Sequence, residues 1–275
     1  MSLLSRFLQR PGEGDASPEA AMAKALAAAR DGDYETALSV WEPLARAGNA
    51  RAQNNIGACF AGGLGVARDT DLAYHWLGLS AEAGDPVGQR NLASLLFRGE
   101  GIAPDYPRAA ALYHQAAEQN DAEAQDMLSW MLLEGDLIEP DFAEARRWAL
   151  AAAKNGSASS MTRLGMLYHN AIGVTRDPVE AAYWWGRGAR AGDADGQAML
   201  GAAYHLGSGV ARDPVEAFAW LIRARRGGSA LAAPFFDVVR ATLDAEQLQE
   251  AERRAALPLT ETSVPLQRAK EEDRR

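Results

Sequence analysis

Two histidines of this 275-residue chain, His169 and His205, stand 36 residues apart. If each lies near the end of a helix in a stack of equal units, the rings come within roughly 10 Å, near metal-bridging reach but short of a site without a third ligand. Phe97 and Leu133 fill the same register, which makes it partly apolar. The favoured reading is contact with a partner, with no metal and no cofactor. The glycine-rich turns Gly62-Gly63-Leu64-Gly65 and Gly207-Ser208-Gly209 invite a phosphate-loop reading, but no Lys-Ser/Thr follows and no strand precedes. Cys59 has no neighbouring basic cluster to lower its pKa and make it a nucleophile. Asp69, Asp105, Asp141, Asp177 and Asp213 sit where helices begin, as caps, and no pair is set apart as general acid and base. These residues point away from an enzyme.

The spacing of the histidines belongs to the whole chain. Steps of 36 from Ile56 reach Leu92, Leu128, Leu164 and Leu200, and from Trp76 they reach Leu112, Trp148, Trp184 and Trp220. A period within roughly 20–50 residues signals stacked repeats, whose core grows by adding units. In residues 158–193, Met161, Leu164, Gly165, Leu167 and Tyr168 fall at helical spacing, and residues 170–174 break the helix with Gly173 expected at positive φ. Asp177-Pro178 and Glu180 then read as an N-cap, a proline at the first helical position and a carboxylate facing the orphan N–H groups. Gly192 ends the second helix, and the stop recurs at Gly48, Gly84, Gly156 and Gly228 with Asn120 in the remaining slot.

The chain therefore reads as five helix–turn–helix units, 50–85, 86–121, 122–157, 158–193 and 194–229. A helix pair at 17–49 caps the N-terminal side. Helices within 230–258, one opened by an Asp244–Gln247 capping box, cap the other side. Residues 1–16 and 259–275 are expected to be disordered. Gly57, Ala93, Ser129, Gly165 and Gly201 share one register in which every occupant is small, so a neighbouring helix is expected to approach closely there.

A net charge of −9 argues against general nucleic-acid binding, which needs Lys and Arg to displace phosphate counterions. One cysteine allows no internal disulfide. No run approaches the roughly 18–20 apolar residues of a membrane span. The opening MSLLSRFLQRPGEGD lacks the hydrophobic region of about 7–15 residues of a secretory signal, so a cytoplasmic location is expected. Leu3, Leu4, Phe7 and Leu8 would share one face if residues 2–9 were helical; membrane-peripheral docking through them is an alternative, not the favoured one.

Ala194-Asp195-Gly196-Gln197, Leu200-Gly201, Tyr204, Gly207-Ser208-Gly209-Val210, Asp213, Ala217, Trp220 and Gly228 resemble the pattern of the Sel-one-like repeat (SLR) family, relatives of the tetratricopeptide repeats. The resemblance covers about residues 33–229, and Gly135-Asp136-Leu137-Ile138 departs most from its turn. It implies an all-α, right-handed α/α superhelical solenoid and a role as an adaptor that gathers proteins. A hydrolase, of the kind proposed for some secreted relatives, is the lesser alternative, since no reactive group is visible to support it.

The first helices of such arrays usually line the concave groove. Their outward row varies from unit to unit while the core does not. Arg90, Phe97, Met127, Trp130, Arg163, Met166, His169 and His205 lie on it and are the expected contacts for a protein or peptide partner. Met131 joins the apolar part of that row, unless it and Trp130 pack between units instead.

Overall fold

The computed structural model describes residues 17–259. The candidate membrane-docking residues 2–9 lie outside them. Among the described residues are fourteen α-helices and no strand. None of these helices is long and apolar enough to cross a membrane. The described residues divide into two compact units, 17–116 and 117–259. The first holds α1 (Pro18–Arg30), α2 (Tyr34–Arg46), α3 (Ala50–Gly62), α4 (Thr70–Glu82), α5 (Pro86–Arg98) and most of α6 (Tyr106–Glu118). The second holds α7 (Ala122–Met131), α8 (Phe142–Lys154), α9 (Ala158–Asn170), α10 (Pro178–Arg190), α11 (Ala194–Leu206) and α12 (Pro214–Arg226), then a 3-10 turn (Ala230–Ala232), α13 (Ala233–Arg240) and α14 (Ala245–Ala256). Leu259, assigned above to the tail, packs against the core of the second unit.

The second helix of each repeat begins where the aspartates place it. The side chains of Asp69, Asp141, Asp177 and Asp213 each accept the amide three residues on at 2.9 Å, and Asp105 does so at 3.0 Å. Asp244 and Gln247 form the expected reciprocal capping box. Glu180 does more than face the orphan amides. Its Oε1 accepts the Trp184 indole N–H at 3.1 Å, and Glu144–Trp148 and Glu216–Trp220 repeat the pair at 3.2 and 2.9 Å. A buried indole N–H needs an acceptor, and a residue one turn earlier on the same helix face supplies it.

The expected helix stops hold. Gly48, Gly84, Gly156, Gly192 and Gly228 have φ between 83 and 96°, and Asn120 has 71°. First helices stop in the same left-handed way, at Gly63, Gly99 and Gly207. In the fourth repeat Ala171 takes that position with φ 57°. Relief of left-handed strain is worth about 1–2 kcal/mol and exceeds the roughly 0.4–1 kcal/mol of unfolded-state entropy that glycine adds. Ala171→Gly is therefore expected to stabilise the second unit by about 0.5–1 kcal/mol. Urea unfolding followed by tryptophan fluorescence measures this, and a lowered midpoint would contradict it.

Two recurring contacts join successive repeats. The first uses glutamine. Gln53, Gln89, Gln125 and Gln197 are buried, and each donates its side-chain amide to a carbonyl of the preceding helix: Ala45, Ala81, Ala117 and Ala189, at 3.1, 3.4, 3.1 and 3.2 Å. Met161 occupies the register in the fourth repeat. The second contact is a turn glycine lying on the first residue of the second helix one repeat earlier. A Cβ on Gly65 would stand 2.5 Å from Tyr34 Cβ, and one on Gly173 would stand 2.7 Å from Phe142 Cβ. Gly209 meets Pro178 in the same manner. The third repeat has Leu137 in this register. A side chain cannot enter so close an approach, and there the first helix stops at Met131 after 10 residues instead of 13.

Within a repeat, the small-residue register explains how the two helices close. A Cβ on Gly57 would lie 2.7 Å from Leu77 Cγ, one on Gly201 2.9 Å from Leu221 Cγ, and one on Gly165 2.8 Å from Trp185 Cγ. The neighbouring helix expected from the sequence is thus the second helix of the same repeat.

Candidate peptide-binding face

The outward row of the first helices is half-buried rather than bare. In the first unit, Arg90 and Phe97 lie on α5, and the Phe97 ring meets Tyr106 edge-on at 5.6 Å. In the second unit, Met127 and Trp130 lie half-buried on α7 and Met166 on α9, where it packs on the core. His169 stands against Trp185 with ring centroids 5.2 Å apart, and His205 against Phe235 at 6.5 Å. The Nδ1 atoms of both histidines are buried without a hydrogen-bond partner. Among the described residues no group of three His, Cys, Asp or Glu side chains is placed to hold a metal.

Met131 does not belong to this row. It is fully buried, in the register of Cys59, Leu95, Leu167 and Ala203, which are all core. Burial also pushes the Cys59 thiol up to about 11, which keeps it protonated and unreactive at neutral pH.

Arg163 has a partner within the chain. Its guanidinium donates to Asp126 of the preceding repeat at 2.8 Å, with the arginine side chain only 15% exposed. Burial pushes the Asp126 carboxyl up, but Arg163 and the hydroxyls of Ser160 and Ser159 outweigh it and hold the group below the usual carboxylate range. Ser157 Oγ adds a bond at 3.1 Å. The same exchange occurs in the first unit with neutral groups, where Asn91 Nδ2 donates to the buried Asn54 at 2.7 Å. Both links join residues 37 apart, from one first helix to the next. The sequence row therefore contains at least one position, Arg163, that ties repeats together.

Two clefts lie along the first helices. In the first unit, α3 and α5 bound one of about 480 Å³ lined by Ala58, Ala61, Asn91, Ser94 and Arg98, with the Arg68–Glu100 ion pair at its rim. Small side chains at 58, 61 and 94 make the space, and Asn91 brings a carboxamide to it. In the second unit a cleft of about 500 Å³ is lined by Glu123, Asp126, Met127, Asn155 and Ser159, among others. Backbone of an extended chain fits beside small residues, and carboxamides can both donate to it and accept from it.

Tandem helix pairs in repeats of equal length, joined by recurring contacts and carrying clefts along the first helices, define a helical-repeat protein. The family model for the Sel1 repeat matches residues 50–85, 86–121, 122–157, 158–193 and 194–229. The chain belongs to the Sel1 repeat family, whose members generally serve as protein-interaction scaffolds. It is similar to a protective antigen of uropathogenic Escherichia coli displaying an SLR fold, at 30% identity and a TM-score of 0.80 over 86% of this chain and 52% of that one. It thus spans about half the length of that antigen. A Sel1 repeat protein from Oxalobacter formigenes is also similar, at 26% identity and a TM-score of 0.77, covering 89% of this chain and all of that one. No match is found among functionally curated proteins.

Proposed function

We propose that the chain is a non-catalytic scaffold that binds a protein or peptide segment along the outward row of its first helices. The observation that carries this reading is the cleft between α3 and α5. Ala58, Ala61 and Ser94 keep it open, and Asn91, held through its Nδ2 by Asn54, lines it with a carboxamide oxygen that can accept from a peptide main chain. Around it and along the equivalent helices, Arg90, Phe97, Met127, Trp130, Met166, His169 and His205 supply the partner-facing side chains, and Arg163 acts by holding Asp126 beside its cleft. Apolar and aromatic groups with arginine nearby suit an interface core and rim.

A photo-cross-linking amino acid at position 94, compared with one at exposed Ala111 on α6, tests the reading in the native cell. A partner is expected to link at 94 and to be lost when Ala58→Arg fills the cleft. Linking at 111 with equal yield, or linking at 94 that Ala58→Arg leaves unchanged, would overturn it.

A further inference from the structure

A different cleft lies at the end of the second unit, where the last repeat meets its cap. Phe218, Ile222, Arg225 and Arg226 of α12, Phe236 and Arg240 of α13, and Glu252 of α14 enclose about 490 Å³. The α12 residues fall at i, i+4, i+7 and i+8, on one helix face, and Phe236 and Arg240 at i and i+4 likewise. The floor is apolar. Phe218 and Ile222 are buried, and Phe236 packs on Phe218 with centroids 5.0 Å apart.

The rim is cationic. Arg225, Arg226 and Arg240 are exposed, and Glu252 is the only carboxylate among the lining residues. The Arg225 guanidinium lies over the Phe236 ring, 4.6 Å from its centroid. Arg226 donates to the Ala255 carbonyl at 3.4 Å, a long bond that leaves most of its five donors open. Neighbouring Arg223 differs, since it is committed to the Arg254 and Leu257 carbonyls at 2.6 and 2.7 Å and ties α14 down. The chain as a whole is acidic, at −9, so three convergent guanidiniums are a local reversal of its field.

We propose that this cleft binds an acidic peptide segment, seating an apolar side chain on Phe218, Ile222 and Phe236 while its flanking carboxylates pair with Arg225, Arg226 and Arg240. Charge complementarity selects the occupant: planar guanidinium forks match carboxylates two bonds at a time, and an open aromatic floor takes a side chain rather than a bare ion. The inference rests on the reading of the chain as a peptide-binding scaffold but not on the first-helix clefts, so either site can fail alone.

The probe is a fluorescein-labelled peptide with a Phe-Leu pair flanked on each side by two glutamates, titrated against the full chain by fluorescence anisotropy. Saturable binding is expected that weakens with added salt. Arg225→Glu with Arg240→Glu is expected to weaken it by about tenfold or more, whereas Arg212→Glu, an exposed charge reversal elsewhere on the second unit, leaves it within about twofold. Replacing Phe-Leu by Ala-Ala in the peptide should weaken binding comparably. Both arginines are exposed, so the double variant should keep its circular dichroism and melting temperature. Absence of saturable binding, equal affinity for the double variant, or equal affinity for the Ala-Ala peptide would overturn the proposal. Loss of binding in Ala58→Arg alone would place the peptide in the first-helix cleft and also overturn it.

Discussion

Gly209→Ala is expected to destabilise the second unit by about 3 kcal/mol or more, among the largest single effects available in this chain. Two costs add. Gly209 has φ 74°, a left-handed conformation that charges any other residue about 1–2 kcal/mol. A Cβ there would also drive into the Pro178 carbonyl and stand 2.9 Å from the Val179 nitrogen. Those are backbone atoms at the start of α10, so no rotamer change relieves the overlap. Gly192 gives the control. Its φ is 96°, but a Cβ would meet nothing within 4 Å. Gly192→Ala should therefore show the conformational cost alone, about 1–2 kcal/mol. Urea unfolding of both variants separates the terms, and equal losses at the two glycines would show that the repeat joint is not a close backbone contact.

The second large effect lies inside the fourth repeat. Gly165 sits under Trp185, which is buried at 2% exposure. Gly165→Ser is expected to cost about 3 kcal/mol by overpacking, and Trp185→Ala about 3–5 kcal/mol by the cavity it leaves. The third repeat carries the complementary solution, with Ser129 and Ala149 in these registers and both fully buried. Gly165→Ser combined with Trp185→Ala should accordingly cost less than the sum of the single changes by about 1–3 kcal/mol. A double-mutant cycle reads this directly. Additivity within about 0.5 kcal/mol would mean that the two positions do not share one volume.

The fold was legible because the signals that specify it are local and repeat. An aspartate cap, a left-handed glycine and an apolar register each act within a few residues, and their recurrence every 36 residues leaves little choice of element. The recurrence also held information that the outward row obscured. Met131 is large and apolar and lies beside Trp130, yet its own register, through Cys59, Leu95, Leu167 and Ala203, marks it as core. Glu180 carries a cap signature and also a second task, because a tryptophan follows one turn later on the same face. The third repeat shows the limit of the pattern: Leu137 announces a different turn, but not that α7 would end three residues early. The site was less legible than the fold. Arg163 and Asn91 vary in type, as partner-contacting residues would, but both reach back to the preceding repeat. Variation between repeats marks freedom from the core and does not distinguish a side chain offered to a partner from one that binds its neighbour. The arginine cleft has no echo at all, since α13 and α14 lie outside the period.

The joints between repeats have a bearing on how such a chain can change its length. Gln53, Gln89, Gln125 and Gln197 reach main-chain carbonyls, and Gly65, Gly173 and Gly209 rest on the opening residue of a helix. The glutamines are received by main-chain carbonyls, and the glycines by the Cβ or carbonyl of a helix's opening residue, atoms that nearly every copy possesses. A duplicated or excised block of 36 residues would meet these sockets on either side, whereas side-chain pairs such as Asn54–Asn91 and Asp126–Arg163 would still need a matching partner. The array is a chain of interchangeable links, and its gain or loss of reach comes in whole repeats.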